Sequence, residues 1–471
     1  MIAILGAGLA GLTAAFELLQ RGIPGREIII IEREDEVGGL AQTKSHEGFS
    51  FDLGPHRWFT KSDEIDRHWE GVNHPDILHL DRLTRIWYRK RLLNYPLAPL
   101  NILTKLGIGE SAIAIGSYLV QTLRNRFTHS PPQNLEEAFI RQFGPALYNA
   151  FFKEYNLKLW GGAGCGELAP DWARQRVRNL SLGRALLDAL DLSPKGKVVS
   201  LVERFKYPSH GTGQTSARLA GRITAAGGTI LSSTVVTGIE RQGSRLSRII
   251  VNRAGHEEEF PTDYCISSIP IDFLARSIFP RLSSETVEAA AGLRYRDLIF
   301  IVLFVDAPRV MRDNWVYVQD PAVSFNRFMD MGSWNPALSP PGTTSLVFEV
   351  TCNAGDTLWN SPDGKWIEQI SAEFVNEFGF VGRNRIMGGT VVRKTHAYPV
   401  YALDYKKRLE AIKRDLREIE NLQLIGRNGL FRYNNMDHSM ATGMAAARNY
   451  LGAAIDIDVI NLDQEYHEEK R

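Results

Sequence analysis

The sequence is poor in cysteine and almost without net charge. Only Cys165, Cys265 and Cys352 occur in 471 residues, far apart and without metal-ligand spacing. That excludes a disulfide framework and a cysteine metal box, and it suits a reducing compartment. The 55 basic residues against 54 acidic ones leave a formal charge of +1, which gives no reason to expect nucleic acid or an anionic membrane as partner. Long apolar runs are also missing. The best candidate, Ile108 to Leu123, is short and contains Glu110 and Ser111, so a packed helix is expected there and no membrane span. The first residues already read as a strand, with no secretory or transit segment, so a cytoplasmic location is expected. No Walker loop, Ser-His-Asp arrangement, internal repeat or low-complexity tract is present. What is there is a chain 44% hydrophobic and 23% charged, a globular composition, long enough for two or three structural regions.

The strongest positive signal lies at the start. The apolar run Ile2-Ala3-Ile4-Leu5 leads into Gly6-Ala7-Gly8-Leu9-Ala10-Gly11, a helical pattern follows, and a second apolar run, Ile28 to Ile31, ends at Glu32. Strand, G-x-G-x-x-G turn, helix, strand and acid, in that order, describe a Rossmann βαβ unit. Gly6 permits the tight turn, Gly8 lets backbone approach a pyrophosphate, and Gly11 lets helix and strand pack closely. Glu32, about twenty residues beyond the turn, is placed to accept hydrogen bonds from a ribose. A second anchor comes late: Leu422 to Ile425, then Gly426-Arg427-Asn428-Gly429, then Tyr433 to His438 and a last helix running to Tyr450. It reads as strand, glycine turn and capped helix, a second place for anion contact.

After Glu32 the chain continues Arg33, Asp35-Glu36-Val37, Gly38-Gly39-Leu40-Ala41, and later Phe51-Asp52-Leu53-Gly54-Pro55-His56-Arg57. These segments resemble the FAD-binding N-terminus of the superfamily of flavin amine oxidases, protoporphyrinogen oxidases and UDP-galactopyranose mutases. The resemblance implies non-covalent FAD wrapped by Gly6, Gly8, Ala10, Gly11, Glu32, Arg33, Gly39, Leu40 and Gly54, with His56 presented to the flavin ring. It further implies contacts from Val236 to the adenine and from Gly426, Arg427, Met436 and Asp437 to flavin and pyrophosphate. From composition alone Val236 reads equally well as plain strand packing, and His56 as a turn histidine.

The middle of the chain resembles the mutase branch. Phe151-Phe152-Lys153-Glu154-Tyr155-Asn156-Leu157-Lys158-Leu159-Trp160-Gly161 is similar to the helix-end segment of those enzymes. Trp172 to Val177, Asn326-Arg327, His396-Ala397-Tyr398-Pro399, Arg432-Tyr433 and Asp437-His438 are similar to further mutase segments, in family order. The resemblance implies a nucleotide-sugar substrate, with reduced FAD attacking the anomeric carbon through N5 during pyranose–furanose interconversion. Arg176 and Arg327 are the implied diphosphate clamp, since a guanidinium fork matches phosphate oxygens. Tyr398 and Tyr433 would donate to the same oxygens, Phe152 and Tyr155 would stack on the base, and Trp160 would shield the sugar. Taken singly, these residues also read as core aromatics, a strand-end tyrosine and surface arginines. The stretch Trp160 to Trp172 departs from both mutase types, which leaves UDP, GDP and dTDP open. NAD(P)H is a possible reductant, although no second dinucleotide fingerprint is present. The alternative is an FAD-dependent oxidase or desaturase. Oligomeric state is not readable.

The expected fold is α/β: a Rossmann-type FAD-binding domain with a helical insertion and a β-rich substrate lobe. Residues 1–62, 196–275 and 395–462 are expected to form the discontinuous FAD domain. Residues 63–195 are expected to form the helical lobe, 276–394 the β-rich substrate lobe, and 463–471 a tail.

Overall fold

The computed structural model describes residues 1–95, 108–128, 130–162, 164–172 and 204–461. A five-stranded parallel sheet lies at its base, ordered Leu422–Leu424, Tyr264–Ser267, Ile2–Leu5, Ile28–Ile31 and Thr229–Leu231. Two of its inner strands, Ile2–Leu5 and Ile28–Ile31, are continuous apolar runs because both faces of the sheet are covered. Ile2, Ile4, Ile28 and Ile30 pack into the cluster formed with the helices Leu9–Gln20, Gly213–Ala225 and Met436–Tyr450. Ala3, Leu5, Ile29 and Ile31 face the other way, toward Val236, Ile239, Ile249 and Val251. Those last residues belong to an antiparallel run of strands, Thr234–Gln242, Arg245–Arg253 and His256–Pro261. Gly443 shows why the helices can sit so close: a Cβ there would stand 2.3 Å from the Ala10 carbonyl oxygen.

Above this unit lies a seven-stranded sheet, ordered Ile386–Pro399, Tyr295–Val305, Thr344–Cys352, Arg327–Asp330, Trp315–Val318, Thr84–Tyr88 and Arg91–Asn94. Neighbours run antiparallel except Trp315–Val318 beside Thr84–Tyr88. The helix Asp363–Phe378 covers one face through Trp366, Ile370 and Phe374, packed with Ile299, Ile301, Phe328 and Phe348.

Three features of the structure cross the expected boundaries. Thr84–Asn94, expected in a helical lobe, supplies two strands of the upper sheet. Ile77–Asp81, from the same expected lobe, pairs with Arg204–Pro208 from the expected FAD segment. Each of these pieces has only four or five residues, too few for hydrophobic periodicity to separate strand from helix. The strand Ile386–Pro399 runs unbroken through the expected boundary at 394/395, carrying one sheet's edge down to the other unit. Helices Ile108–Phe127, Leu135–Phe143, Pro145–Phe151 and Lys153–Trp160 do form. Ile108–Phe127 is only half a packed helix, because five of its large apolar side chains, Ile113, Leu119, Val120, Leu123 and Phe127, point outward. Ser181 to Leu190 and the tail lie outside the described residues. Among the described residues no helix is long and apolar enough to cross a membrane, and no cluster of His, Cys, Asp or Glu could hold a metal ion.

Candidate functional site

A cleft of about 520 Å³ runs between the two sheets, a size proper to a small-molecule site. At one end the Gly6–Gly11 turn opens into it. Gly6 has φ of +96°, and a Cβ there would meet Ser268 Oγ at 2.4 Å. Gly11 is packed, not exposed to the cleft: its Cβ would lie 2.0 Å from the Gly6 carbonyl oxygen. Gly8 is the opposite case, with nothing within 4 Å of a Cβ, so only a ligand would feel a side chain there. The N-terminus of the helix Leu9–Gln20 starts at this point, with its unsatisfied N–H groups toward the cleft.

Glu32 ends the second strand and is held by the turn itself. Its Oε2 accepts the Ala7 N–H at 2.7 Å and its Oε1 accepts the Glu34 N–H at 3.0 Å. Each oxygen keeps a lone pair for a hydroxyl at the cleft wall. Gly38, whose N–H donates to the Ala7 carbonyl at 2.9 Å, and Gly39 close the same end. Arg33 donates to Thr395 Oγ1 at 2.6 Å, and Lys394 pairs with Glu34 beside it. Val236 lines this end as well.

The other end is built from side chains on distant strands. Arg327, on Arg327–Asp330, donates from Nε and Nη2 to both oxygens of Glu349, at 2.9 and 2.5 Å, and from Nη2 to the Tyr398 hydroxyl at 3.4 Å. Glu349 is 2% exposed, and the fork–fork geometry is what makes its burial tolerable. Nη1 of Arg327 remains outside these bonds. The turn Gly54–His56 sits directly against the pair: a Cβ on Gly54 would be 3.3 Å from Glu349 Oε1 and 3.5 Å from His56 Nε2. His56 Nε2 also meets the Leu53 carbonyl at 3.0 Å. Burial and the neighbouring Arg427 and Arg327 charges lower its pKa from 6.5 to about 4, so the imidazole is neutral near pH 7.

Arg427 completes this end. It donates to the Asn434 carbonyl at 3.0 and 2.8 Å and to the Ala397 carbonyl at 3.0 Å. Its guanidinium lies 4.4 Å over the Tyr433 ring, which stacks on Tyr398 at 5.6 Å. All these partners are neutral, so Arg427 leaves a positive charge at the cleft. Burial pushes the Tyr398 phenol far above its usual range, which keeps it a protonated donor.

Among the residues singled out from sequence, the cleft brings together Gly6, Gly8, Ala10, Glu32, Arg33, Gly39, Leu40, Gly54, His56, Val236, Arg327, Tyr398, Gly426, Arg427, Tyr433, Met436 and Asp437. Gly11 supports the turn from behind. The three lobe aromatics do not line it. Phe152 stacks on Phe139 and Phe143, at 5.0 and 4.8 Å, inside the helical region. Trp160 is buried edge-on to Trp172 and Tyr398 and donates to Asn156 Oδ1. Tyr155 packs edge-on to Tyr317, which does line the cleft. Their helical spacing therefore reflects packing. Arg176 lies outside the described residues.

Sequence reading missed Glu349, Trp315, Tyr317 and Lys394, and named His396 only as part of a family-like segment. Glu349 carried a signal, as the lone charge in the apolar strand Thr344–Cys352. The others stand out only once the strands are assembled. Trp315 Nε1, Asn428 Oδ1 and His396 Nδ1 are buried cleft atoms without a protein hydrogen-bond partner. Together with the open face of Gly8, the N-terminus of Met436–Tyr450 and the Glu32 carboxylate, they fit a dinucleotide such as FAD.

A glycine-turn Rossmann sheet joined to an antiparallel sheet across one cleft defines a flavin-dependent enzyme of the two-lobed type. The chain belongs to the family of flavin containing amine oxidoreductases, whose pattern matches residues 9–448. Phytoene dehydrogenase of Streptomyces griseus is 25% identical over 397 residues, 80% of this chain and 73% of that protein. A "probable UDP-galactopyranose mutase" of Klebsiella pneumoniae is 28% identical over 171 residues, 34% of this chain and 41% of that one. The 4,4'-diapolycopene oxygenase of Methylomonas sp is 43% identical over 54 residues, a local match that spans 12% of this chain and 10% of that protein. The crystal structure of a reduced UDP-galactopyranose mutase superposes with a TM-score of 0.84, at 23% identity, over 98% of this chain and 97% of that one, a likeness of fold.

Proposed function

We propose that this protein is an FAD-dependent mutase interconverting pyranose and furanose forms of a nucleoside-diphosphate sugar. The observation that carries the reading is Arg327, its side chain 14% exposed, set in the cleft with one guanidinium nitrogen left over from its pairing with buried Glu349. A buried ion pair gives a polyene nothing to bind and costs desolvation. A diphosphate, by contrast, gains a charge-assisted hydrogen bond from Arg327 and the field of Arg427. Tyr398 and Tyr433 add neutral donors. Arg176 is retained as a second cation on sequence grounds alone.

Gly6, Gly8, Glu32, Gly39 and the Gly426-Arg427 turn are the groups proposed to hold FAD, with Val236, Met436 and Asp437 along its length. When bound, FAD supplies a ring nitrogen that is nucleophilic in the reduced state and electrophilic in the oxidised one. His56, neutral beside two arginines, offers one donor and one acceptor without adding charge. NAD(P)H is the proposed reductant.

A second reading, an FAD-dependent oxidase or desaturase, is favoured by the long match to the Streptomyces phytoene dehydrogenase. One assay separates them. Dithionite-reduced, anaerobic enzyme is incubated with UDP-, GDP- and dTDP-sugars, and products are resolved by anion-exchange chromatography. The mutase gives furanose product over many turnovers per reduction. Inertness toward every nucleotide sugar, together with substrate-dependent oxygen uptake by the oxidised enzyme in a separate aerobic run without dithionite, would establish the oxidase reading instead.

A further inference from the structure

The helix Ile108–Phe127 is amphipathic in the wrong sense for a packed element. Its small and polar side faces the protein: Ser111 and Ala114 are buried, Ser117 Oγ accepts the Ala146 N–H at 3.1 Å, and Asn125 Nδ2 donates to the Arg141 carbonyl at 2.7 Å. Its apolar side faces out. Ile113, Leu119, Val120, Leu123 and Phe127 are between 50 and 83% exposed. Large exposed apolar residues elsewhere among the described residues are scattered along the chain, whereas these five share one helix. At 100° per residue they fall in an arc of about 120°. Exposed Arg126 borders one edge of that arc and exposed Arg124 the other.

We propose that this helix seats the protein on an anionic lipid bilayer, lying in the plane of the headgroups with the Ile113–Phe127 stripe in the acyl boundary. An apolar stripe one helix wide, edged by arginines, is the pattern that headgroup phosphates and acyl chains recognise together. The helix does not cross, since it is not apolar enough to span. The chain's near-zero net charge does not oppose this, because attraction to a surface is set by charges within a Debye length of it. The inference is independent of the reaction in the cleft.

Flotation of the flavin-loaded full chain tests it, with vesicles of phosphatidylglycerol and phosphatidylcholine against phosphatidylcholine alone. The protein floats with the anionic vesicles. Leu123→Asp with Phe127→Asp lowers partitioning by about tenfold or more, with flavin content and thermal midpoint unchanged. Arg124→Glu with Arg126→Glu weakens binding to the anionic vesicles and removes its salt dependence. Absence of flotation, or equal flotation of the Asp variant, would overturn the proposal. So would a lipid-free dimer, seen by light scattering, that the same Asp substitutions abolish, because the stripe would then be an interface between copies.

Discussion

The two ends of the cleft are made of different material. At the Gly6–Gly11 end the chain presents main-chain groups: a glycine turn, two helix N-termini and a carboxylate fixed by an amide. At the Arg327 end it presents side chains from Arg327–Asp330, Thr344–Cys352, Ile386–Pro399 and the Gly54–His56 turn, linked by a buried ion pair and stacked rings. A main-chain site tolerates many side chains but few added atoms. A side-chain site tolerates added space but not a lost partner. On the proposed function, the first would hold the cofactor and the second would select what reacts with it.

Substitutions at each end should therefore fail in different ways. The largest effect is expected for Arg327→Ala, which strands Glu349 as a buried unpaired charge and should cost about 3–5 kcal/mol of stability in urea unfolding. Arg327→Met combined with Glu349→Leu should recover most of it, because two apolar groups leave no charge behind. An unaltered Arg327→Ala midpoint would mean the pair is no structural link. Next is Gly8→Val at the main-chain end. A Cβ there has no protein atom within 4 Å, so folding should survive, while FAD affinity should fall about a hundredfold. Flavin retention after gel filtration, read beside circular dichroism, distinguishes this from misfolding.

The smallest expected effect is the pH dependence from His56. Its folded pKa of about 4 lies below the ordinary value of 6.5. The unfolded chain thus takes up a proton that the folded chain refuses. The stability linked to this group is complete above pH 6.5 and drains as pH falls toward 4. Since the cleft gives water partial access to the ring, about 2 kcal/mol is expected across that window. His56→Gln should flatten the difference in unfolding free energy between neutral and mildly acid pH. Parallel curves for wild type and variant would remove His56 from the account.

Legibility followed the same division. The main-chain end was readable because glycine spacing, continuous apolar strands and a following acid are constraints local in sequence, and Gly6, Gly8 and Glu32 lie where they imply. Arg327, Tyr398 and Tyr433 were reachable through resemblance. Glu349 offers only a lone charge in an apolar strand, and Trp315 and Tyr317 offer nothing local, since only the assembled upper sheet turns these side chains into one cleft. Phe152 and Trp160 do not line the cleft, and sequence alone cannot tell this, because aromatic residues at helical spacing satisfy a bundle core as well as a ligand. Thr84–Asn94 were misplaced because strand pairing with Trp315–Val318 is a tertiary fact.

The most direct test of the central claim is equilibrium binding of UDP, GDP and dTDP to flavin-loaded wild type and Arg327→Lys, with flavin absorbance read in the same sample. Lysine keeps a cation for Glu349 but loses the guanidinium fork. Wild type is expected to bind at least one of these diphosphates, Arg327→Lys to bind it about tenfold or more weakly, and both to carry equal FAD. Wild type that binds none of the three, or a variant that binds as tightly as wild type, would contradict the claim.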